Sequence, residues 1–398
     1  MSVAAAEPQT SPTPILDCLT PLPPLVKPGS GPARFIGRVI GFFLGLGIVF
    51  SALWGAAWVI DNWEKIFLDD SATFRFLLAG FAIFLVMFAA IVIHESGHLL
   101  AGLAVGFRFN AMHIGLMQID RPFRISRYRG SGGWLSGAVN LLPKKTDRLS
   151  LRALLMVFAG PAANLLSAYV VFLLPYSKGF TSNFFIFFSA LAGVLSLIPS
   201  RGLVTHSDGA RILILLQSRE RGERWLAILK LGAEVAEGVP FESLSADFLA
   251  KASAIRDNSP DTVIAHMLAY ATAKWQHKDA EAAQLLETCL EYSGYAAPMM
   301  REALMCDAAV FQARRRKRAD VAEQWLVLLP KTTVMPGLHA SAEAGILEAK
   351  GDIEGALKKL DEVETLTLAQ PNEIRRKISL ESLKRWRSEL QEMGESAR

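Results

Sequence analysis

Cysteine and histidine are scarce in this chain of 398 residues, three of the first and seven of the second. Cys18, Cys289 and Cys306 have no metal-site or redox spacing and fit a reducing cytosol. Seven scattered histidines do not supply the several clusters that a di-iron lipid hydroxylase or desaturase needs. A net charge of +4 gives no footing for nucleic acid as a partner. Charge is thinnest between Phe35 and Pro199, where long apolar runs carry the hydrophobic content to 51% and exclude a wholly soluble protein. Proline crowds into the start: eight of the nineteen lie in residues 1–33, which end in PLPPLVKPGSGP and read as an unstructured tail. The apolar run that follows begins too late and is too long for the core of a cleaved signal peptide.

Four apolar segments come next, Phe35 to Ile60, Arg75 to Leu103, Leu151 to Pro175 and Asn183 to Pro199. A spanning helix needs about 20 such residues. Three qualify, and the fourth, at 17 residues, sits at the short limit. The connection from Arg108 to Arg148 carries Arg108, Arg121, Arg124, Arg127, Arg129, Lys144, Lys145 and Arg148 against only Asp120 and Asp147, whereas DNWEKIFLDDS (Asp61 to Ser71) is acidic. The positive-inside rule then puts both termini and the basic loop in the cytosol, as in a multi-pass protein of the bacterial inner membrane. The expected fold is an all-α membrane protein with a small β element: a tail (1–33), a domain of four transmembrane helices (34–220) and a soluble helical domain (221–398).

Beyond Gln217, amphipathic helices with charged faces take over. Three passages look loosely alike: AYATAKWQHKDAEAAQLLETCLEY, DAAVFQARRRKRADVAEQWLVLL and AEAGILEAKGDIEGALKKLDEV. Aligning Asp279, Asp320 and Asp352 gives spacings of 41 and 32 residues, near the helix-turn-helix period of about 34 in tetratricopeptide repeats. A degenerate tetratricopeptide-like domain and a non-repetitive helical bundle both stay open.

The sharpest signal is AIVIHESGHLLAGLAVG, Ala90 to Gly106, in which His94, Glu95 and His98 sit inside a run otherwise fit for hydrocarbon. Histidines four apart on a helix project from one face and can grip one cation, and Glu95 can reach a water on that cation. This is the H-E-x-x-H pattern of zinc hydrolases. Two helix-packing histidines are the plainer alternative, although each of three ionisable groups at membrane depth would then need a partner. A catalytic zinc keeps three protein ligands and one open position. Asp208, in SLIPSRGLVTHSDGARILILL, follows the last apolar segment on the same side as the histidines and is the best third ligand; the alternative is a simple helix N-cap. A glutamate third ligand lacks an E-x-x-x-D partner on a later segment.

HESGH near the end of one membrane helix, AGPAANLL (Ala159 to Leu166) in the next and an Asp-Gly pair after a proline turn resemble the site-2 protease family of intramembrane zinc metallopeptidases, over about residues 75–217. The resemblance implies Zn2+ held by His94, His98 and Asp208, with Glu95 as the catalytic acid/base. Two features depart from it. Ser196 stands where the family's third motif usually has Asn, and the spacer Ser200 to Ser207, which holds Thr205 and His206, is longer than usual. His206 could replace Asp208 as ligand, contact an oxyanion, or be a solvated loop histidine. Gly160, Ala162 and Ala163 let the third segment pack closely on the second, and Asn164 at that depth wants a hydrogen-bond partner. Resemblance to the family's Gly-Pro-x-x-Asn motif puts Asn164 beside the active site, orienting a substrate carbonyl.

FRFNAMHIGL and FRISRY alternate as strands do, and a strand edge at the membrane surface could hold an unwound substrate; a basic loop that merely rests on anionic headgroups is the plainer alternative, and both could hold. His113 in that loop reads as a surface histidine. The loop, about 45 residues from Phe107 to Leu151, is too short for the PDZ domain some family members insert there. The C-terminal helical domain is therefore the candidate for substrate gating and for a protein partner. The expected function is a zinc-dependent intramembrane endopeptidase cutting a transmembrane protein within the lipid bilayer near its cytosolic end, in regulated intramembrane proteolysis. A catalytically inactive membrane scaffold working through its helical domain is the alternative.

Overall fold

The computed structural model describes residues 70–121, 123–128, 134–175, 180–200, 206–329, 335–370 and 373–396. The Pro-rich tail, Cys18, the apolar segment from Phe35 to Ile60, Arg129 and Thr205 lie outside them. Among the described residues are thirteen α-helices and one four-stranded sheet. They fall into two compact units, one ending at Gly222 and the other running from Glu223.

In the first unit, α1 (Asp70–Ala104) and α2 (Leu149–Leu173) contain stretches long and apolar enough to cross a membrane, Gly80–Ala104 and Leu149–Leu173. The next helix, α3 (Phe180–Leu197), is apolar, but its Thr181–Leu197 stretch falls below that length. Of the four expected spans, then, two meet the criterion, the first lies outside the described residues and the fourth is short. Leu100, Leu155, Phe172 and Phe187 point outward with half or more of their surface bare or close to it, as side chains facing hydrocarbon do. The buried residues of α2, Ala153, Val157, Gly160, Asn164 and Ala168, recur every three or four positions and make one stripe. That stripe meets α1 at close range: a Cβ on Gly97 would lie 2.5 Å from the Ala159 carbonyl oxygen, so nothing larger than hydrogen fits.

Between α1 and α2 the chain forms an antiparallel sheet of β1 (Phe107–Ile114), β2 (Met117–Asp120), β3 (Arg124–Arg127) and β4 (Gly137–Pro143), ordered β3-β2-β1-β4. Phe109 pairs with Leu141 and Ala111 with Asn140, so Asn110 is an extra residue that bulges β1. β4 is an edge strand. After α3 come α4 (Asp208–Gln217) and α5 (Arg219–Ala236).

The second unit continues with α6 (Ala246–Ser253), α7 (Pro260–Trp275), α8 (Asp279–Glu291), α9 (Pro298–Arg316), α10 (Ala319–Val327), α11 (Pro336–Ala349), α12 (Ile353–Leu368) and α13 (Glu373–Ser396). The three similar passages fold as the pairs α7/α8, α9/α10 and α11/α12. Each turn passes through one left-handed residue, His277 (φ 57°), Lys317 (φ 54°) or Gly351 (φ 80°). The following N–H then returns to the preceding helix, Lys278 to Ala273, Arg318 to Gln312 and Asp352 to Leu347. Val263, Leu286, Leu304, Phe311 and Trp325 form one core, Leu360, Leu383, Trp386 and Leu390 another. Arg224 of α5, fully buried, pairs with Asp257 at 3.0 Å and donates to Ser259 and Thr262. Burial pushes the thiols of Cys289 and Cys306 up, the latter to about 12, so both stay protonated and unreactive.

Candidate metal centre

His94 and His98 stand on successive turns of α1, their rings edge to face with centroids 4.8 Å apart. Their Nε2 atoms lie 3.2 Å from each other. Asp208, 114 positions beyond His94, brings Oδ2 to 3.1 Å from His94 Nε2 and Oδ1 to 3.4 Å from His98 Nε2. These three groups, with ligand atoms all within 4.8 Å of one another, could hold one metal ion.

Neighbouring helices hold the rings from behind. His98 Nδ1–H donates to the Met156 carbonyl of α2 at 2.8 Å, which leaves the Nε2 lone pair facing His94 and Asp208. Gly160 makes room for this ring, since a Cβ there would strike the His98 imidazole. Asn164 is buried, with Nδ2 3.3 Å from His94 Nδ1 and Oδ1 without a hydrogen-bond partner among the described residues. Turning the amide over puts an acceptor on His94 Nδ1–H and frees its Nε2 for a cation. The backbone carbonyl of Asn164 is itself held by Ser167 of α2 and Ser189 of α3.

Asp208 is not the N-cap of α4. That position belongs to Ser207, whose Oγ accepts from the Ala210 N–H at 3.2 Å. The same Oγ accepts from Ser200 N–H at 2.9 Å and donates to the Ile198 carbonyl at 2.7 Å, while Ser207 N–H reaches the Ser200 carbonyl at 3.1 Å. The two ends of the long spacer are thus fastened together, and its length does not displace Asp208. Gly209 lies so close to the Leu197 carbonyl that a Cβ would collide with it, seating α4 on the end of α3.

Glu95 is buried beneath β4. Its carboxylate takes a backbone hydrogen bond from Val139, within electrostatic range of His98, His94 and Asp208. A Cβ on Gly137 would sit 2.8 Å from Glu95 Oε1, so β4 can press on the carboxylate only because that residue has no side chain.

Residues 82–286 match the family model of Peptidase family M50, a stretch from α1 into α8. The chain belongs to this family, the site-2 protease family. No curated protein and no solved structure matches it. Members of family M50 are zinc metallopeptidases, and the donor set of this M50 chain suits zinc. A tetrahedral zinc with bonds of about 2.0–2.2 Å spaces its ligand atoms roughly 3.3–3.6 Å apart; the separations of 3.1–3.4 Å come close to that. Two imidazole nitrogens and a carboxylate oxygen are also donors that zinc prefers.

The remaining expected site residues fall elsewhere. His206 is buried rather than solvated and stands outside the group of converging donors. Ser196 donates back to the Gly193 carbonyl of its own helix at 3.0 Å. His113 is half-buried, its ring stacked on Tyr128 with centroids 3.9 Å apart, and burial pulls its pKa down. Ser207, the Met156 carbonyl and the cover of Glu95 by Gly137 and Val139 escaped sequence reasoning. Only Ser207 left a trace there, as a serine just before the first helical residue.

Proposed function

We propose that this M50 peptidase is a zinc-dependent intramembrane endopeptidase that hydrolyses a peptide bond of a transmembrane protein near its cytosolic end. The observation that carries the reading is the convergence of His94, His98 and Asp208 around one point with a buried carboxylate, Glu95, beside it. In this reading His94, His98 and Asp208 are the ligands and Glu95 is the acid/base. Zinc, when bound, supplies Lewis acidity to the scissile carbonyl and to a water. Glu95 takes the proton of the attacking water and hands it to the leaving amide nitrogen. Asn164 acts behind His94 by orienting the ring, rather than on the substrate carbonyl.

A helical substrate hides its peptide bonds and must be extended before it can be cut. β4 supports a way to hold it: it is the sheet's edge and already gives one backbone N–H to Glu95, so a strand laid beside it would pass the carboxylate. His98 lies near the end of α1, where polar groups can line a wet recess without meeting lipid. The charge of the connection between α1 and α2 supports a cytosolic position for this end, with both termini in the cytosol of a bacterial inner-membrane protein. The stacked helix pairs of the second unit offer a surface for a protein partner that gates the substrate.

Glu95→Gln should keep zinc and abolish cleavage, whereas Asp208→Asn should lower zinc content and activity together. Zinc stoichiometry of the purified proteins, with the membrane proteomes of cells carrying each form, measures both. A chain that binds no zinc would replace the protease by the inactive scaffold, and a Glu95→Gln form that still cuts would remove Glu95 as the acid/base.

A further inference from the structure

We propose that a cleft on the sheet of the first unit binds the phosphate of an anionic lipid headgroup, with part of the acyl chain on its floor. The cleft, about 410 Å3, is lined by Leu103, Arg108, Phe109, Arg121, Phe123 and Lys144, three apolar side chains and three cations with no carboxylate among them. The cations come from three places that the strand pairing draws together. Arg108 is on β1, Arg121 follows β2 and sends its backbone N–H to Asn110, and Lys144 follows β4 and sends its own to Gly106. Both acids of this connection are engaged elsewhere, Asp120 by Gln118 and Asp147 by Arg152. Arg152 is itself occupied by the Val105 and Gly106 carbonyls, so it closes the end of α1.

The floor argues for an amphiphile over a bare anion. Phe109 and Phe123 stack almost parallel, centroids 5.8 Å apart and planes within 8°. Phe123 is held at φ 72° with 79% of its surface bare. A phenylalanine in the left-handed region with an open ring carries both backbone strain and apolar exposure, and an acyl chain against it offsets the second. Depth decides between a lipid and an acidic peptide. Leu103 is the penultimate residue of the apolar stretch Gly80–Ala104, where a membrane helix passes from hydrocarbon into the headgroup layer. Cations gathered at that level meet lipid phosphates first. None of the six residues belongs to the candidate metal centre, so the inference stands apart from the proposed peptidase chemistry.

The test titrates the full-length protein, purified in an uncharged detergent, with dihexanoyl phosphatidylglycerol by calorimetry. Dihexanoyl phosphatidylcholine, inorganic phosphate and a glutamate-rich peptide serve as comparisons. The phosphatidylglycerol should bind saturably, at least about tenfold tighter than each of the others, and the double variant Arg121→Gln, Lys144→Gln should weaken it by about tenfold or more. The swap Arg121→Lys, Lys144→Arg should retain binding, and Phe123→Ser should weaken the lipid while leaving phosphate unchanged. Should a variant fail to fold, the ligand comparison on the native chain still decides. Equal binding of the two lipids, phosphate binding as tight as the anionic lipid, an unchanged folded double variant, or tighter binding of the acidic peptide would each overturn the proposal.

Discussion

At the scale of single residues, the candidate centre depends as much on what stands behind the donors as on the donors. His94 has Asn164 at its back and His98 the Met156 carbonyl, and such partners fix the tautomer that leaves Nε2 free. Asn164→Ala should therefore lower zinc affinity by about ten- to a hundredfold, whereas Asn164→Asp, which keeps an acceptor for Nδ1–H, should largely preserve it; competition with a chromophoric chelator reads both. If Asn164 met only the substrate, neither change would alter zinc binding. Ser207→Ala removes a cap worth about 1 kcal/mol and unfastens the spacer, and the same competition should show roughly a tenfold loss of affinity. The donors themselves were legible because two histidines four apart on a helix are a local pattern. The backing groups were not, since a backbone carbonyl such as Met156 and the lack of a Cβ at Gly160 or Gly137 acquire meaning only when another element arrives.

At the scale of elements, α1, α2 and the apolar body of α3 could be read from long uncharged runs. β1 and β3 could be read from alternation. β2 has four residues, and β4, GAVNLLP, is too apolar at its end to alternate; both owe their strand form to pairing with β1. The three turns of the helical unit were readable only as a faint likeness, because His277, Lys317 and Gly351 share a backbone conformation and no side chain. One carboxylate joins three helices of that unit: Glu348 of α11 accepts from Arg314 and Lys317 near the end of α9 and from Trp386 of α13 at 3.0, 2.9 and 2.7 Å. Burial alone would raise its pKa, but the Arg314 charge and the Lys317 and Trp386 hydrogen bonds outweigh that and lower it. A lowered carboxyl stabilises the fold above its ordinary value near 4.5 and loses that contribution as pH falls through the folded-state value. Thermal midpoints between about pH 6 and about pH 3 should fall more steeply for the native chain than for Glu348→Gln, which should start lower by a few kcal/mol of stability, about 3–5 for a broken buried pair.

At the scale of the molecule, the described residues form two units, and the family match runs from the first into the second. The candidate ligands all lie in the first unit. A cation bound only by the folded form stabilises the part that holds it. Hydrogen exchange of the full chain with and without a strong chelator should therefore show loss of protection in α1, α2 and α4 and none in α8 to α13. Exchange that changes equally in both parts would mean that the units unfold as one. That the chain changes character after Gln217 was plain from composition, because hydrocarbon and water select different residues. The expected boundary, between residues 220 and 221, and the division after Gly222 both fall inside the continuous helix α5.

The seam made by Ser207 carries a practical consequence. Because Ser200 and Ser207 are tied to each other, an epitope or fluorescent tag inserted between them should leave the aspartate in its seat.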